Sequence, residues 1–389
     1  MIRGAWLTEV VRTRRPWLAA WLLVSFALAS LAAGQVLSSR AVSPGGPELQ
    51  PVTIAPMMAQ AEVPSLVFAS FNVCKTSCTP PAPSWEVRRE RVARTIVESG
   101  VDVVGLQEVT HHATAAAKTQ YLDLVALLRP HGLLPVAYTA GSDACRWTAE
   151  RPHPCTHTTG LVYRASTVRQ VVLPEGQASA GTVPMADISP ALTSDAAARK
   201  VVWAYLEGAP GDGGAQVEPF LALVVHTSTL KDPGSEASRI AFGRALDGWI
   251  QAHNQANGMF GVPVVLMADL NSYRRRQPQG VQQVLVDAGW IDAARAPVQR
   301  NTQYSTINVN PLLDVGEQGF PARPYAFRAT RLHPQVDATR IDYIMARGNG
   351  VSMLDYEVVM HLRADGSFDP QYQGSDHQMI RATIALPAS

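Results

Sequence analysis

Residues 65–388 of this 389-residue chain are expected to form one α/β domain in which strands outnumber helices. Three observations predict it. Apolar runs of strand length recur along the sequence, amphipathic helical stretches stand between several of them, and polar residues gather where the apolar runs end. A hydrophobic share of 47% and a charged share of 17% describe an ordinary globular chain, neither disordered nor wholly membrane-embedded. No internal repeat or change of composition divides these residues into two domains.

The N-terminus carries Arg3, Arg12, Arg14 and Arg15, and residues 17–34 then read WLAAWLLVSFALASLAAG. A positive flank before an apolar run means export, with residues 1–34 acting either as a cleaved signal or as a membrane anchor. Small residues at Ala29, Ala32, Ala33 and Gly34 suit cleavage, and residues 13–18 (TRRPWL) resemble a twin-arginine export signal, with positive-inside charge as the alternative reading. The leader hides the charge of the rest. Residues 1–39 hold four Arg and one Glu, which leaves 29 Lys+Arg against 31 Asp+Glu, a balance of about −2. That lacks the strong global field of a high-affinity, sequence-independent DNA binder, although a local basic patch could serve.

Residues 35–64, rich in Pro, Gly, Ser and small side chains without apolar period, are expected to be a disordered linker. Residues 66–72 (LVFASFN) then form a buried strand delivering Asn72 to a sheet edge. Ser84 is placed to cap a helix reaching Ser99, with Val92, Ala93, Ile96 and Val97 on one face and Gly100 as the stop. Another strand covers residues 101–107. Residues 161–163 and 201–206 supply two more, and residues 219–227 a strand containing His226. A helix over residues 235–255 sets Phe242, Ala245, Leu246, Trp249 and Ile250 on one stripe for packing against a sheet. Residues 263–268 form a buried strand that empties into Asp269-Leu270-Asn271, and residues 341–346, 356–361 and 379–386 complete the set.

Four cysteines in an exported chain suggest disulfides, most simply Cys74–Cys78 and Cys145–Cys155 out of three connectivities. A zinc site with His153 and His157 is the rival, but its spacings fit no common zinc pattern. A Cys74–Cys78 bridge would stiffen the rim of any cleft beside Asn72.

Asn72, Glu108, His226, Asp269 with Asn271, Asp342, and Asp376 with His377 all fall near strand ends, where a rigid sheet can converge side chains on one cleft. Carboxylates and amide oxygens are hard donors that suit Mg²⁺, Mn²⁺ or Ca²⁺, with no thiolate or histidine cluster required. Singly each residue has a plain structural reading, as a turn residue, a surface acid or a hydrogen-bonded core histidine. It is their joint occurrence that favours a site.

The ordered set Asn72, Gln107-Glu108, His226, Asp269-x-Asn271, Asp342 and Ser375-Asp376-His377 resembles the endonuclease/exonuclease/phosphatase superfamily, across nearly the whole expected domain. The resemblance implies a four-layer α/β sandwich, two packed mixed β-sheets flanked by helices, and hydrolysis of a phosphoester by metal-assisted in-line attack of water. It implies Glu108 as principal metal ligand with Asn72 and Asp376 beside it, and His377 as the residue that takes a proton from water, held in its tautomer by Asp342. Asp269 would position the water, Asn271 a phosphate oxygen, and His226 would donate to the phosphate or the leaving oxygen.

The expected partner is a phosphoester substrate, nucleic acid before lipid or inositol phosphate, met outside the cytoplasm by a monomer. Arg274, Arg275, Arg276, Arg323, Arg328, Arg331 and Lys231 either grip phosphates or form solvated charge, and His111 and His112 read as solvated loop. For a sphingomyelinase one expects an exposed aromatic hairpin, for which residues 363–373, with Phe368 and Tyr372 among acids, are a poor candidate. A binding protein on the same fold is the rival from another class, and intact Glu108, Asp269, Asp342 and His377 speak against it.

Overall fold

The computed structural model describes residues 64–78, 82–109, 119–136, 159–192, 199–210, 217–229, 233–272, 279–308, 320–324 and 339–388. All of them belong to one compact unit, Gln60–Ser389. The expected export segment, almost all of the expected linker, the Cys145–Cys155 pairing, His111, His112, Lys231, Arg274, Arg275, Arg276, Arg328 and Arg331 lie outside the described residues.

Two mixed sheets form the interior. The first runs in the order β11 (Val298–Arg300), β13 (Ser352–Val358), β14 (Ile380–Ala385), β1 (Ser65–Asn72), β2 (Val103–Gln107), β4 (Thr159–Arg164), β3 (Leu133–Pro135). The second runs β10 (Ile291–Asp292), β12 (Asp342–Arg347), β9 (Val264–Asp269), β8 (Phe220–His226), β7 (Lys200–Gly208), β5 (Val168–Gln170), with β6 (Ala180–Pro184) also paired to β7. Parallel pairs β1/β2 and β8/β9 sit at the centre of each sheet, flanked by antiparallel neighbours.

The sheets face each other across one apolar layer in which Phe68, Ala382 and Ile384 of the first meet Ala222, Val224, Met267 and Ile344 of the second. Their approach is close at Gly105, where a Cβ would lie 2.6 Å from the Cβ of Met267. On the outer face of the first sheet pack α1 (Trp85–Glu98) and α2 (Gln120–Leu128), through Trp85, Val92, Ile96, Leu124 and Leu128. The short α3 (Met185–Ile188) contributes Met185 and Ile188 to the outer face of the second sheet. There α4 (Pro233–Ala256) and α5 (Val281–Asp287) also pack, through Phe242, Leu246, Ile250, Val281 and Leu285. The result is the expected four-layer α/β sandwich. Strands buried on both faces carry apolar residues at every position, which is why β8 and β9 read as unbroken runs in the sequence.

The differences from expectation have local causes. Ser84 stands at the N-cap of α1, but its side chain makes no capping bond, so the helix start is fixed by packing of Trp85. The strand expected over residues 356–361 is instead β13, Ser352–Val358, whose burial alternates around Met353, Tyr356 and Val358 and which carries a register shift between Met353 and Asp355. A strand whose burial alternates has no apolar run to mark its start. Three short helices, α2, α3 and α5, have no counterpart among the expected elements. At nine, four and seven residues they are too short to show a helical period and are held by tertiary packing.

Candidate active site

Topology alone brings the polar strand ends together. Because β1 and β2 are parallel, Asn72 and Gln107 are register partners and Glu108 follows directly. In the second sheet the parallel pair β8/β9 sets His226 opposite Asp269, and antiparallel β12 sets its first residue, Asp342, on the other side of Asp269. Strand β14 runs antiparallel to β1, so the residues just before it, Ser375-Asp376-His377, arrive at the same edge. Each of the eight sequence-predicted site residues therefore lies along this edge, and bonds across the gap tie the two sheets there.

Asn72 bridges the sheets: its Nδ2 donates to Asp269 Oδ2 at 3.0 Å, while its Oδ1 accepts from the Cys74 N–H at 3.0 Å. Asp269 Oδ1 accepts from the Asn271 N–H at 2.9 Å, and Asn271 in turn donates from Nδ2 to the Thr227 carbonyl at 3.2 Å. His226 Nε2 lies 3.5 Å from Asp269 Oδ2 and 3.9 Å from Glu108 Oε1, which places it between the two acids. Glu108 Oε2 accepts from the Lys75 N–H at 3.2 Å. Both Glu108 and Asn271 adopt left-handed backbone angles, φ 58° and 47°, a conformation that costs about 1–3 kcal/mol and must be held by its surroundings.

His377 and Asp342 form a buried pair. Nδ1 of the ring lies 3.1 and 3.2 Å from the two carboxylate oxygens, and Asp342 is fully buried. Engagement of Nδ1 leaves Nε2 as the ring nitrogen free to exchange a proton. Burial by itself would lower the affinity of His377 for a proton, but the Asp342 charge and hydrogen bond, with Asp376 and Asp269 behind them, raise it well above the ordinary histidine range.

Asp269 is pushed up to about 7, first by burial and then by the adjacent Asp342 charge, against the pull of His377 and of the bonds from Asn72 and Asn271. Asp376 is raised by burial and by nearby Glu108, with His377 opposing. Such crowding of acids favours a bound cation.

Two groups of side chains among the described residues bring three donor atoms within 4.8 Å: Asp269, Asp342 and His377, and Cys74, Cys78 and Asp376. In the second group both sulfurs are consumed by the Cys74–Cys78 disulfide, which lies in the loop after β1. In the first group His377 Nδ1 and Asp342 are engaged with each other. The remaining donors, Glu108, Asp376 and the second lone pair of Asn72 Oδ1, are all oxygens and fit a hard divalent ion.

Ser375 of the last motif and several residues that the sequence did not single out hold this edge. Ser375 Oγ donates to the Asn72 carbonyl at 2.7 Å and accepts from the His377 N–H at 3.1 Å, coupling the last motif to the first. Thr306 Oγ1 accepts from the Ile341 N–H at 3.2 Å and lies 3.4 Å from the Asp342 N–H. Beneath the loops after β8 and β9, Glu236 accepts from Ser272 and Arg239, and Arg239 donates to the Ser228 carbonyl. Arg88 on α1 is wholly buried beside the loop after β1. Its position on the apolar stripe between Trp85 and Val92 was the one legible signal. Arg323, by contrast, is exposed and stands 4.0 Å from Asp365.

Comparisons with known proteins agree with this architecture. No match was found among curated proteins. Among solved structures, an endonuclease/exonuclease/phosphatase family protein from Bacteroides thetaiotaomicron is similar with TM-score 0.53 at 16% identity, over 84% of this chain and 100% of that one. A mannosyl-6-phosphatase of Bacteroides thetaiotaomicron VPI-5482 gives 0.52 at 16% over 82% and 99%, and an endonuclease/exonuclease/phosphatase from Beutenbergia cavernae DSM 12333 gives 0.51 at 19% over 83% and 72%. At such identities these likenesses speak to the fold. The sequence itself matches the model of the endonuclease/exonuclease/phosphatase family over residues 69–377, and with the fold and the ordered strand-end residues this means that the chain belongs to that family.

Proposed function

We propose that the protein is an exported, divalent-metal-dependent phosphoesterase, and in the first place a phosphodiesterase that cleaves nucleic acid. The observation that carries the hydrolytic reading is the buried His377–Asp342 pair at 3.1 Å, one strand away from Asp269 and next to the His226–Glu108 approach. A buried histidine poised on a buried carboxylate is the arrangement that moves a proton to and from water.

In this reading Glu108, Asn72 and Asp376 hold Mg²⁺, or Mn²⁺ or Ca²⁺ in its place. A cation bound there neutralises phosphate charge and orients the scissile group. His377 accepts the proton of the attacking water at Nε2 while Asp342 fixes the tautomer and stabilises the imidazolium. Asp269 orients the water and Asn271 a phosphate oxygen. As water adds to phosphorus in line, the opposite P–O bond breaks, and His226 donates to the phosphate or to the departing oxygen.

Residues 1–34 would carry the chain out of the cytoplasm or hold it on the outer face of the membrane, with residues 35–64 as tether. The Cys74–Cys78 disulfide suits an oxidising compartment. A lipid phosphodiesterase is less favoured because residues 363–373 offer no projecting aromatic pair: Phe368 is buried, and the half-buried Tyr372 lies stacked on His361 at 3.8 Å with its hydroxyl bonded to Glu98. A phosphomonoesterase acting on a sugar or inositol phosphate is the second reading, and the mannosyl-6-phosphatase shares the fold.

One panel tests these readings. Purified protein with Mg²⁺ or Mn²⁺ is offered plasmid DNA, RNA, sphingomyelin, inositol phosphates and mannose 6-phosphate, beside a His377→Ala control. Cleavage of DNA or RNA lost in the control supports the nuclease reading, and release of phosphate from the sugar or inositol esters alone supports the second. Absence of any cleavage, or an equally active control, refutes the mechanism.

A further inference from the structure

Arg88 is the least expected residue in α1. It lies on the helix's buried stripe, three residues after Trp85 and four before Val92, and is fully buried. Taking a guanidinium out of water costs several kcal/mol unless its donors are satisfied. Burial lowers its hold on its proton to about 10, with Asp376 and Glu108 pulling the other way. Arg88 spends all five donors on main-chain carbonyls: Nε on Pro83 at 3.0 Å, Nη1 on Val73 and Gly374 at 2.8 Å each, Nη2 on Cys74 at 3.0 Å and Lys75 at 2.8 Å.

The segments it grips are the ones that flank the metal side of the site. Val73, Cys74 and Lys75 follow Asn72, and Gly374 precedes Ser375-Asp376-His377. With the carbonyls of Val73 and Cys74 turned inward to Arg88, the N–H groups on the far side of the same two peptide planes, those of Cys74 and Lys75, face the opposite way and donate to Asn72 Oδ1 and Glu108 Oε2. Cys74 adopts φ 52° to make this turn, and Gln120 Nε2 gives its carbonyl a second hold at 3.0 Å. The same side chain thus sets the orientation of a loop, of two oxygen donors on separate strands, and of the strand-entry segment carrying a third.

We infer that Arg88 is a positioning residue for divalent-cation binding, acting through the backbone of residues 73–75 and 374 rather than by touching ion or substrate. This rests on the metal-dependent hydrolysis proposed above. Groups that orient metal ligands typically change metal affinity by about ten- to a hundredfold when altered. Lysine at this position keeps the charge but has three donors for five acceptors, so it loosens the grip without leaving an apolar hole.

The test uses the full chain with Mn²⁺ as probe, titrated by calorimetry without substrate and then by activity. In Arg88→Lys the Mn²⁺ dissociation constant is expected to rise about tenfold or more, and half-saturating Mn²⁺ for catalysis to rise in parallel. At saturating metal, substrate KM stays as in the wild type and kcat returns to within about threefold. A lower melting temperature with unchanged Mn²⁺ affinity of the folded protein would mean a structural staple only, and would overturn the inference.

Should Arg88→Lys fail to fold, Gln120→Leu removes the second hold on the Cys74 carbonyl while leaving Arg88 in place. It should weaken Mn²⁺ binding about threefold, and unchanged affinity there would equally overturn it. If the wild type binds Mn²⁺ but cleaves nothing in the substrate panel, the hydrolytic reading fails while the calorimetric comparison still decides the role of Arg88. If the wild type binds no Mn²⁺, both fall.

Discussion

Replacing Asp342 by Asn is the sharpest perturbation of the proposed mechanism, because it removes a charge while keeping the shape of a side chain with no exposure at all. In the native site both Asp342 oxygens lie within 3.2 Å of His377 Nδ1. A hydrogen bond to a charged group is worth about 1.5–3 kcal/mol against about 1 for a neutral one, so an amide oxygen retains the tautomer but loses most of the stabilisation of the imidazolium.

General-base assistance of this kind contributes about 10²–10⁴-fold, and the expected loss in kcat is of that order. The sign of the pH effect follows from the same pair. His377 must be neutral to accept a proton, and it is held above the ordinary 6.5 by Asp342, so the acidic limb of the wild-type kcat/KM profile should lie above that value. Asp342→Asn removes the charge and weakens the hydrogen bond that raise it, and the limb should move to lower pH while the plateau falls.

Initial rates on bis(p-nitrophenyl) phosphate, or on whichever phosphoester the panel identifies, measured from about pH 5.5 to 9.5 give both quantities. The variant should fold: it deletes a buried charge adjacent to Asp269 rather than stranding one. His377→Ala, in contrast, leaves Asp342 buried and unpaired, at about 3–5 kcal/mol. Asp342→Asn activity within about threefold of wild type, with an unmoved acidic limb, would refute the assignment of His377 and Asp342 as a proton-transfer pair.

Gly374→Ala should cut both stability and activity, since the new Cβ would stand 2.7 Å from Val92 Cγ2 and 2.8 Å from the Val92 nitrogen. Overpacking of about 1–3 kcal/mol would displace the segment leading to His377, as thermal melts and rates would show together. Cys78→Ser, which opens the disulfide between residues four apart, should cost about 2 kcal/mol in urea unfolding on the chain-entropy estimate, and an unchanged urea midpoint would refute a stabilising role for the bridge.

Far from the site, His253 is stacked on Trp249 at 4.6 Å and lowered to about 4 by burial. It contributes stability that is full above the unfolded value of 6.5 and lost as pH falls through about 4, at most about 3 kcal/mol and less because the ring is partly exposed. In His253→Phe the difference between urea midpoints at pH 7.5 and pH 5 should shrink; an unchanged difference would assign the acid sensitivity to other groups.

The central strands were legible because a strand covered on both faces must be apolar throughout, and the polar residue that ends it stands out: Asn72 after FASF, His226 after ALVV, Asp269 after VVLMA. The family resemblance rested on the same strand ends. Chain order, however, says nothing about which ends meet. That His226 and Asp342 are the two neighbours of Asp269 follows from β8 running parallel and β12 antiparallel to β9, a matter of register and direction. The edge strand β11, its alternating neighbour β13 and the short helices α2, α3 and α5 owe their form to packing and so left no run or period to read.

What the sequence by itself determined is therefore the class of fold and the chemical kinds of donor available, since burial and hard-ligand chemistry are properties of residues and their local pattern. What only the tertiary structure decided is the grouping. Asn72 tied to Asp269 across two sheets, Glu108 oriented by the Lys75 N–H, and Arg88 satisfied by five carbonyls from three separate segments are all long-range matters. The place of Arg88 on an apolar stripe hints at burial, but nothing in the sequence says what it binds. Its meaning comes from the carbonyls that converge on it, and convergence is what folding supplies.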